Sequence, residues 1–155
     1  MTNKPDKKIG VSRKQMIELL NEDLSREYQA IIAYTVYSQA IKGAEFMDIA
    51  RELEKHAGEE LDHALKISKQ IDYFGGMPTT TAKPVRTSES AREMLKFDLE
   101  NEQETIVNYR QRIRQAEAMG EYALSEVLRE IIMQEQEHEM DLASALGIDV
   151  PKKPD

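Results

Sequence analysis

The chain has 155 residues, enough for one domain with a real core and too few for two ordinary ones. Its 29 acidic side chains outweigh 21 basic ones, and a net charge of −8 argues against nucleic acid as a partner. There is no cysteine, which excludes disulfides, thiolate nucleophiles and cysteine-bound redox centres and suits a cytoplasmic location.

The start carries a small basic arm, Lys4, Lys7 and Lys8, and residues 1–11 are expected to form a flexible tail without the apolar stretch of a signal peptide. No apolar run approaches the ~20 residues of a membrane span, so no membrane partner is expected. Apolar residues then recur at alternating steps of three and four in four long segments, each one face of a helix. The first passes through Leu20, Leu24, Glu27, Ile31 and Tyr34, with Ser12 and Gln15 as a capping box. The second passes through Leu53, His56, Glu60, His63 and Ile67 and ends at Gly75-Gly76. The third begins near Ser88 and passes through Leu95, Leu99, Glu102, Ile106 and Tyr109. The fourth carries Leu124, Leu128, Ile131, Glu135, His138 and Leu142, and Gly147 closes it. Gly43 and Gly120 mark tight turns, so helices one and two form one antiparallel hairpin and helices three and four another. At ~3.3–3.6 Å per residue, the stretch 75–87 can run the ~45 Å length of such a bundle. The expected fold is all-α: an antiparallel four-helix bundle over residues 12–148 with one long crossover between helices two and three. Residues 149–155 form a C-terminal tail.

A shift of 75 positions lays the second hairpin on the first. Leu20 falls on Leu95, Leu24 on Leu99, Glu27 on Glu102, Tyr34 on Tyr109, Glu60 on Glu135 and His63 on His138. Each hairpin therefore carries a lone Glu on its first helix and Glu-x-x-His on its second. Each pair stands ~25 Å from its own turn by the helical rise, and the crossover puts the turns at opposite ends. Both clusters should then meet near the middle.

Four ionised carboxylates in an apolar core would cost many kcal/mol in desolvation and repulsion. The seam offers no Lys or Arg at their level, so cations are the best relief, and two divalent ions balance four carboxylates. Mixed oxygen and nitrogen donors suit iron, or manganese as the alternative, over magnesium or calcium. The expected metal ligands are Glu27, Glu60, His63, Glu102, Glu135 and His138. Glu59, Glu104 and Glu137 fall off the seam and read as solvated or as neighbours of the ligands. His56 lies on the seam and reads as a partly buried, hydrogen-bonded histidine rather than a transient iron ligand. Tyr34 and Tyr109 are either core tyrosines with satisfied hydroxyls or groups that donate electrons or orient ligands. Met16, Met94, Met133 and Met140 sit at ordinary helical spacings.

These residues resemble the ferritin superfamily, and most closely bacterioferritin, from about Val11 to Ile148. The resemblance is carried by Leu20-Asn21-Glu22-Asp23-Leu24 leading into Glu27 and Tyr34, by Glu59-Glu60-Leu61-Asp62-His63-Ala64, by Phe74-Gly75-Gly76-Met77-Pro78, and by Glu135-Gln136-Glu137-His138. It implies that Glu27 with His63 terminates one iron, Glu102 with His138 the other, and Glu60 and Glu135 bridge them. It places a tyrosine, Tyr34, beside the site as its catalytic neighbour. Bacterioferritins hold haem through a Met after the bridging Glu of helix two; Leu61 stands there, so haem is not expected. The sequence runs only from Asp149 to Asp155 after the fourth helix, with no room for the short fifth helix of bacterioferritin cages. A homo-oligomer is expected, whether dimer, smaller assembly or cage. Starvation-protection miniferritins fit less well, since they place metal between subunits. The implied activity is a diiron ferroxidase that oxidises Fe(II) with oxygen or hydrogen peroxide for storage or detoxification. The alternatives are a rubrerythrin-like peroxidase or manganese-type catalase on the same dimetal site, and a noncatalytic assembly protein with a structural metal clip.

Overall fold

The computed structural model describes residues 8–154; Lys4 and Lys7 of the basic arm lie outside them. Four long helices follow one another: α1 (Arg13–Ala40), α2 (Met47–Tyr73), α3 (Ala91–Ala118) and α4 (Tyr122–Ala145), with one 3₁₀ turn (Ala44–Phe46) before α2. The described residues contain no strand, so the fold is the all-α four-helix bundle expected.

Local chemistry sets the helix ends. Ser12 caps α1 in a complete capping box: its hydroxyl accepts from the Gln15 N–H at 3.1 Å, and its own N–H donates to Gln15 Oε1 at 2.9 Å. α3 starts at Ala91 rather than near Ser88, because Ser90 is the residue whose hydroxyl accepts the Glu93 N–H. Ser88 instead accepts from the Ser90 N–H in the turn before it. Gly76 closes α2 where a Cβ would lie 2.5 Å from Ile17 Cγ2, so the chain can turn against α1 only without a side chain.

The crossover is threaded along one face of α1. Asn21 donates to the Met77 carbonyl and accepts from the Thr79 N–H, Ser25 donates to Thr81, Gln29 to Pro84 and Tyr37 to Arg86. The contacts climb α1 in steps of one or two turns, so the loop spans nearly the whole helix and α3 begins beside the C-terminal end of α1. That order makes α1 antiparallel to both α2 and α3, and α4 antiparallel to α2.

The core divides into two apolar clusters. One contains Met16, Leu20, Leu24, Ile67, Ile71, Leu124 and Leu128. The other contains Tyr37, Leu53, Leu95, Leu99, Leu142 and Leu146. Burying each such Leu or Ile contributes ~1.5–3 kcal/mol, which fastens the helices on either side of the polar layer between the clusters. Both ends of the described chain are held to the bundle. The Lys8 carbonyl accepts from Gln115 at 2.8 Å, Val11 packs on the first cluster, and Lys153 pairs with the buried Glu139 carboxylate at 2.5 Å. No described helix is long and apolar enough to cross a membrane.

Candidate metal centre

All six carboxylate and imidazole residues singled out by the repeat lie in the layer between the two clusters, each at most 3% exposed. They form two overlapping groups of four. Glu27, Glu60, His63 and Glu135 make one, and Glu60, Glu102, Glu135 and His138 the other; within each, donor atoms lie within 4.8 Å of one another. Glu60 and Glu135 are the shared members. His63 Nδ1 lies 2.6 Å from Glu135, 3.4 Å from Glu60 and 3.6 Å from Glu27. His138 Nδ1 lies 2.8 Å from Glu60 and 3.6 Å from Glu102.

These atoms point at one another yet leave much of their bonding capacity open. Short as these distances are, both Glu60 oxygens, one oxygen each of Glu27, Glu102 and Glu135, Nδ1 of both histidines and Nε2 of His138 make no hydrogen bond of good geometry. Buried polar atoms are ordinarily satisfied, so orphans concentrated in one layer mark donors arranged around something else. Two cations would take these lone pairs, and the set of four carboxylates and two imidazoles fits them in charge and donor type.

The electrostatics without metal follow from burial. Burial and the neighbouring carboxylates push Glu60 and Glu135 well above the usual carboxylate range. Burial alone would raise Glu102 too, but Glu135 and His138 beside it hold it down to about 2. Burial opposes a charge on His63, and the Glu135 and Glu27 carboxylates overcome this to lift it to about 11.

The tyrosines cross over. Tyr34 of α1 donates to Glu102 of α3 at 2.5 Å, and Tyr109 of α3 donates to Glu27 of α1. Each hydroxyl thus fixes the lone Glu of the opposite hairpin, and burial first, then nearby carboxylates, keep both phenols protonated. Around the histidines the two halves differ. His63 Nε2 faces Gln134 Oε1 at 2.6 Å, whereas His138 Nε2 faces Glu59 at 3.5 Å. Gln134 in turn donates to Glu59, which ties the two outer partners together. Of the three acids placed off the seam, Glu59 is the one that reaches a site histidine, while Glu104 pairs with Arg26 and Glu137 is exposed. His56 is more deeply buried than the partial burial expected on the seam, and hydrogen-bonded: its Nε2 lies 3.1 Å from Asp141 Oδ2 and its ring stacks on His138.

The seam is more polar than its periodicity shows. Asp23 and Asp98, one turn before Glu27 and Glu102, are each 2% exposed. Asp23 accepts two hydrogen bonds from the buried Arg112, at 2.7 and 3.1 Å. A basic residue therefore does enter the core, one turn from the carboxylate layer. The 75-residue shift pairs Asp23 with Asp98 and could have flagged both; nothing along the chain flags Arg112, whose repeat counterpart is Tyr37.

With this geometry in place, comparison with known proteins is direct. The ferritin-like domain family matches residues 17–149. A bacterioferritin of Brucella melitensis is 25% identical over 140 residues, covering 86% of this chain and 87% of that protein. A crystal structure described as ferritin-like, diiron-carboxylate proteins from Bacillus anthracis superposes with a TM-score of 0.83 at 35% identity, covering 86% of this chain and 96% of that one. The dodecameric thioferritin of Bacteroides fragilis, a bacterioferritin-related protein, superposes with a TM-score of 0.82 at 26% identity, covering 88% and 87%.

Proposed function

The chain belongs to the family of ferritin-like domains, and on that footing we propose that it is a diiron ferroxidase of the bacterioferritin type, oxidising Fe(II) for storage or detoxification. The observation that carries this reading is the pair of overlapping donor groups that share Glu60 and Glu135 and leave their inward atoms unpartnered. In the proposal Glu27 and His63 serve one metal, Glu102 and His138 the other, and Glu60 and Glu135 lie between the two. Iron bound there supplies one-electron chemistry toward oxygen or peroxide.

The protein's own part is to bind, orient and manage protons. Tyr34 and Tyr109 hold the terminal carboxylates Glu102 and Glu27 in place, Gln134 fixes the outward nitrogen of His63, and Glu59 stands 3.5 Å from that of His138. To Tyr34, hydrogen-bonded to the proposed ligand Glu102, we assign the further role of electron donor. Cation binding competes with protons for these donors: it must displace the one on His63, lifted to about 11, and is opposed by the raised pKa values of Glu60 and Glu135. Two Fe(II) per chain should therefore be taken up and oxidised with release of acid, and further iron should pass into a soluble mineral. Uptake that stops at two per chain and does not turn over would leave a structural clip instead. By likeness to the dodecameric relative we propose a homo-oligomer, which sedimentation checks directly.

The shifted pKa values of the layer give a pH prediction for the metal-free protein. Glu60 and Glu135 are raised above their unfolded values, so the folded chain keeps protons that the unfolded chain has lost. His63, lifted to about 11, contributes stability below its unfolded value that disappears as pH rises toward 11. His56, lowered to about 4, acts in the opposite sense, but only below its ordinary range near 6.5. Stability should thus fall from pH 7 to pH 10, by up to ~1.4 kcal/mol per pH unit for each extra proton held. Glu135→Gln should flatten that slope and leave the metal-free protein at least as stable at pH 8, because a group whose ionisation burial and its neighbours oppose has gone. Urea unfolding at several pH values measures both. A Glu135→Gln protein several kcal/mol weaker would make this carboxyl a structural member of the core.

Haem should not bind at the outer face of α2, where Leu61 is half exposed and has no lone pair to offer iron. A stoichiometric Soret band in protein from haem-replete cells, lost on replacing a Met, would refute this.

A further inference from the structure

Metal-type donors do not stop at the buried centre; on one side they continue to the surface along the seam between α2 and α4. One turn from Glu60, His56 is 1% exposed, with Nε2 at 3.1 Å from Asp141 and Nδ1 without a partner. One turn further out is Glu52, at the partly solvated rim, and Glu52, His56 and Asp141 each offer a donor atom within 4.8 Å of the others. On its inner side the same imidazole forms a second such group with Glu59 and His138. Its ring stacks on His138 at a centroid distance of 3.9 Å. His138 belongs in turn to the group with Glu60, Glu102 and Glu135. The groups overlap residue by residue from surface to centre.

The duplicated fold supplies its own control. At the equivalent place in the other half, Glu52, His56 and Asp141 are replaced by Val127, Ile131 and Lys66. Ile131 is fully buried there, so packing at this level accepts a hydrocarbon and does not ask for an imidazole with an orphaned nitrogen. Outside lies a hollow of about 410 Å³ bordered by Glu45, Asp48, Glu52 and Asp141; its one basic residue, Arg51, is paired with Asp48 at 3.5 Å. An acidic mouth concentrates cations at the end of the row where the donors begin.

We propose that Glu52, His56 and Asp141 hold a third divalent transition-metal cation and pass it inward to the His138 side of the buried centre. His56 is the shared ligand of the transfer: it can keep hold of the ion while carboxylates are exchanged, Glu52 and Asp141 outside for Glu59 inside. Mixed nitrogen and oxygen donors favour first-row transition ions over magnesium or calcium. The inference rests on reading the buried layer as a two-metal centre.

Co(II) tests both steps on the intact protein. Equilibrium dialysis should count three Co(II) per wild-type chain and two in Asp141→Asn and in Glu52→Gln, whose side chains are exposed enough to spare the fold. Rapid mixing should show the d–d absorption of the buried ions rising several-fold more slowly in these variants. Two equivalents in the wild type, or three retained in the variants, would overturn the third position. Loss of the third equivalent without slower filling would overturn the hand-over. Glu60→Ala separates this from the underlying reading: it should lose buried Co(II) yet keep the equivalent that Asp141→Asn removes. Three equivalents in Glu60→Ala would defeat the two-metal centre, while the Asp141→Asn count alone judges the rim.

Discussion

Glu60→Ala and Glu135→Ala should each abolish Fe(II) oxidation, with a loss of at least ~100-fold, beyond the 10–100-fold typical of outer-shell partners. Each is a member of both donor groups, so removing either strips a ligand from both proposed metals at once. The same variants should lose the stabilisation that metal confers. A cation present at a hundred times its dissociation constant adds ~2.7 kcal/mol to a protein that binds it only when folded. For a domain of this size that is a rise of about 5–11 °C in melting temperature. Wild-type protein should show the rise with Fe(II) or Mn(II), and either variant should show none. A variant that oxidises Fe(II) at a tenth of the wild-type rate would remove that residue from between the metals. Glu104→Ala is the control, since its side chain lies outside the layer and pairs with Arg26 at the surface.

Asp23→Ala should destabilise the protein by ~3–5 kcal/mol, the usual cost of breaking a buried ion pair from one side. Arg112 is 6% exposed, and without the carboxylate its guanidinium keeps one short hydrogen bond, to Gln115 Oε1. Burial pushes Asp23 upward, and the Arg112 guanidinium opposes that. The pair is therefore costly to bury as well as costly to break. Replacing both partners together, Asp23→Ala with Arg112→Leu, should recover most of the loss, because no lone charge then remains inside. Urea unfolding of the single and double variants measures the coupling. A single variant within 1 kcal/mol of wild type would mean that water reaches Arg112.

Much of this molecule can be read along the chain because a helix writes its inward face into its spacing. Steps of three and four separate Leu20, Leu24, Glu27, Ile31 and Tyr34 from their solvated neighbours, and the 75-residue repeat sets the same pattern down twice. The six residues of the central layer were legible for that reason: two weak Glu-x-x-His matches at equivalent levels make one strong pattern. The Ser12 capping box and the glycines at the turns were legible too, since they depend on neighbours a few residues away. The crossover followed from its length alone, because a stretch that can span a bundle has few other uses in a compact fold.

What the chain could not show is which inward residues meet across helices. Periodicity says that Tyr34 and Glu102 both face inward, but it leaves open whether Tyr34 serves the Glu of its own helix or another's. The antiparallel register of α1 on α3 decides it, bringing Tyr34 to Glu102, Tyr109 to Glu27 and Asp23 to Arg112. The register of α2 on α4 likewise gives His63 an amide partner and His138 a carboxylate, and turns Glu59 from a surface acid into a neighbour of the site. Helical propensity and spacing are local, set by backbone geometry within a turn or two. Register is set by how whole side-chain rows interdigitate, and it exists only once the helices are packed.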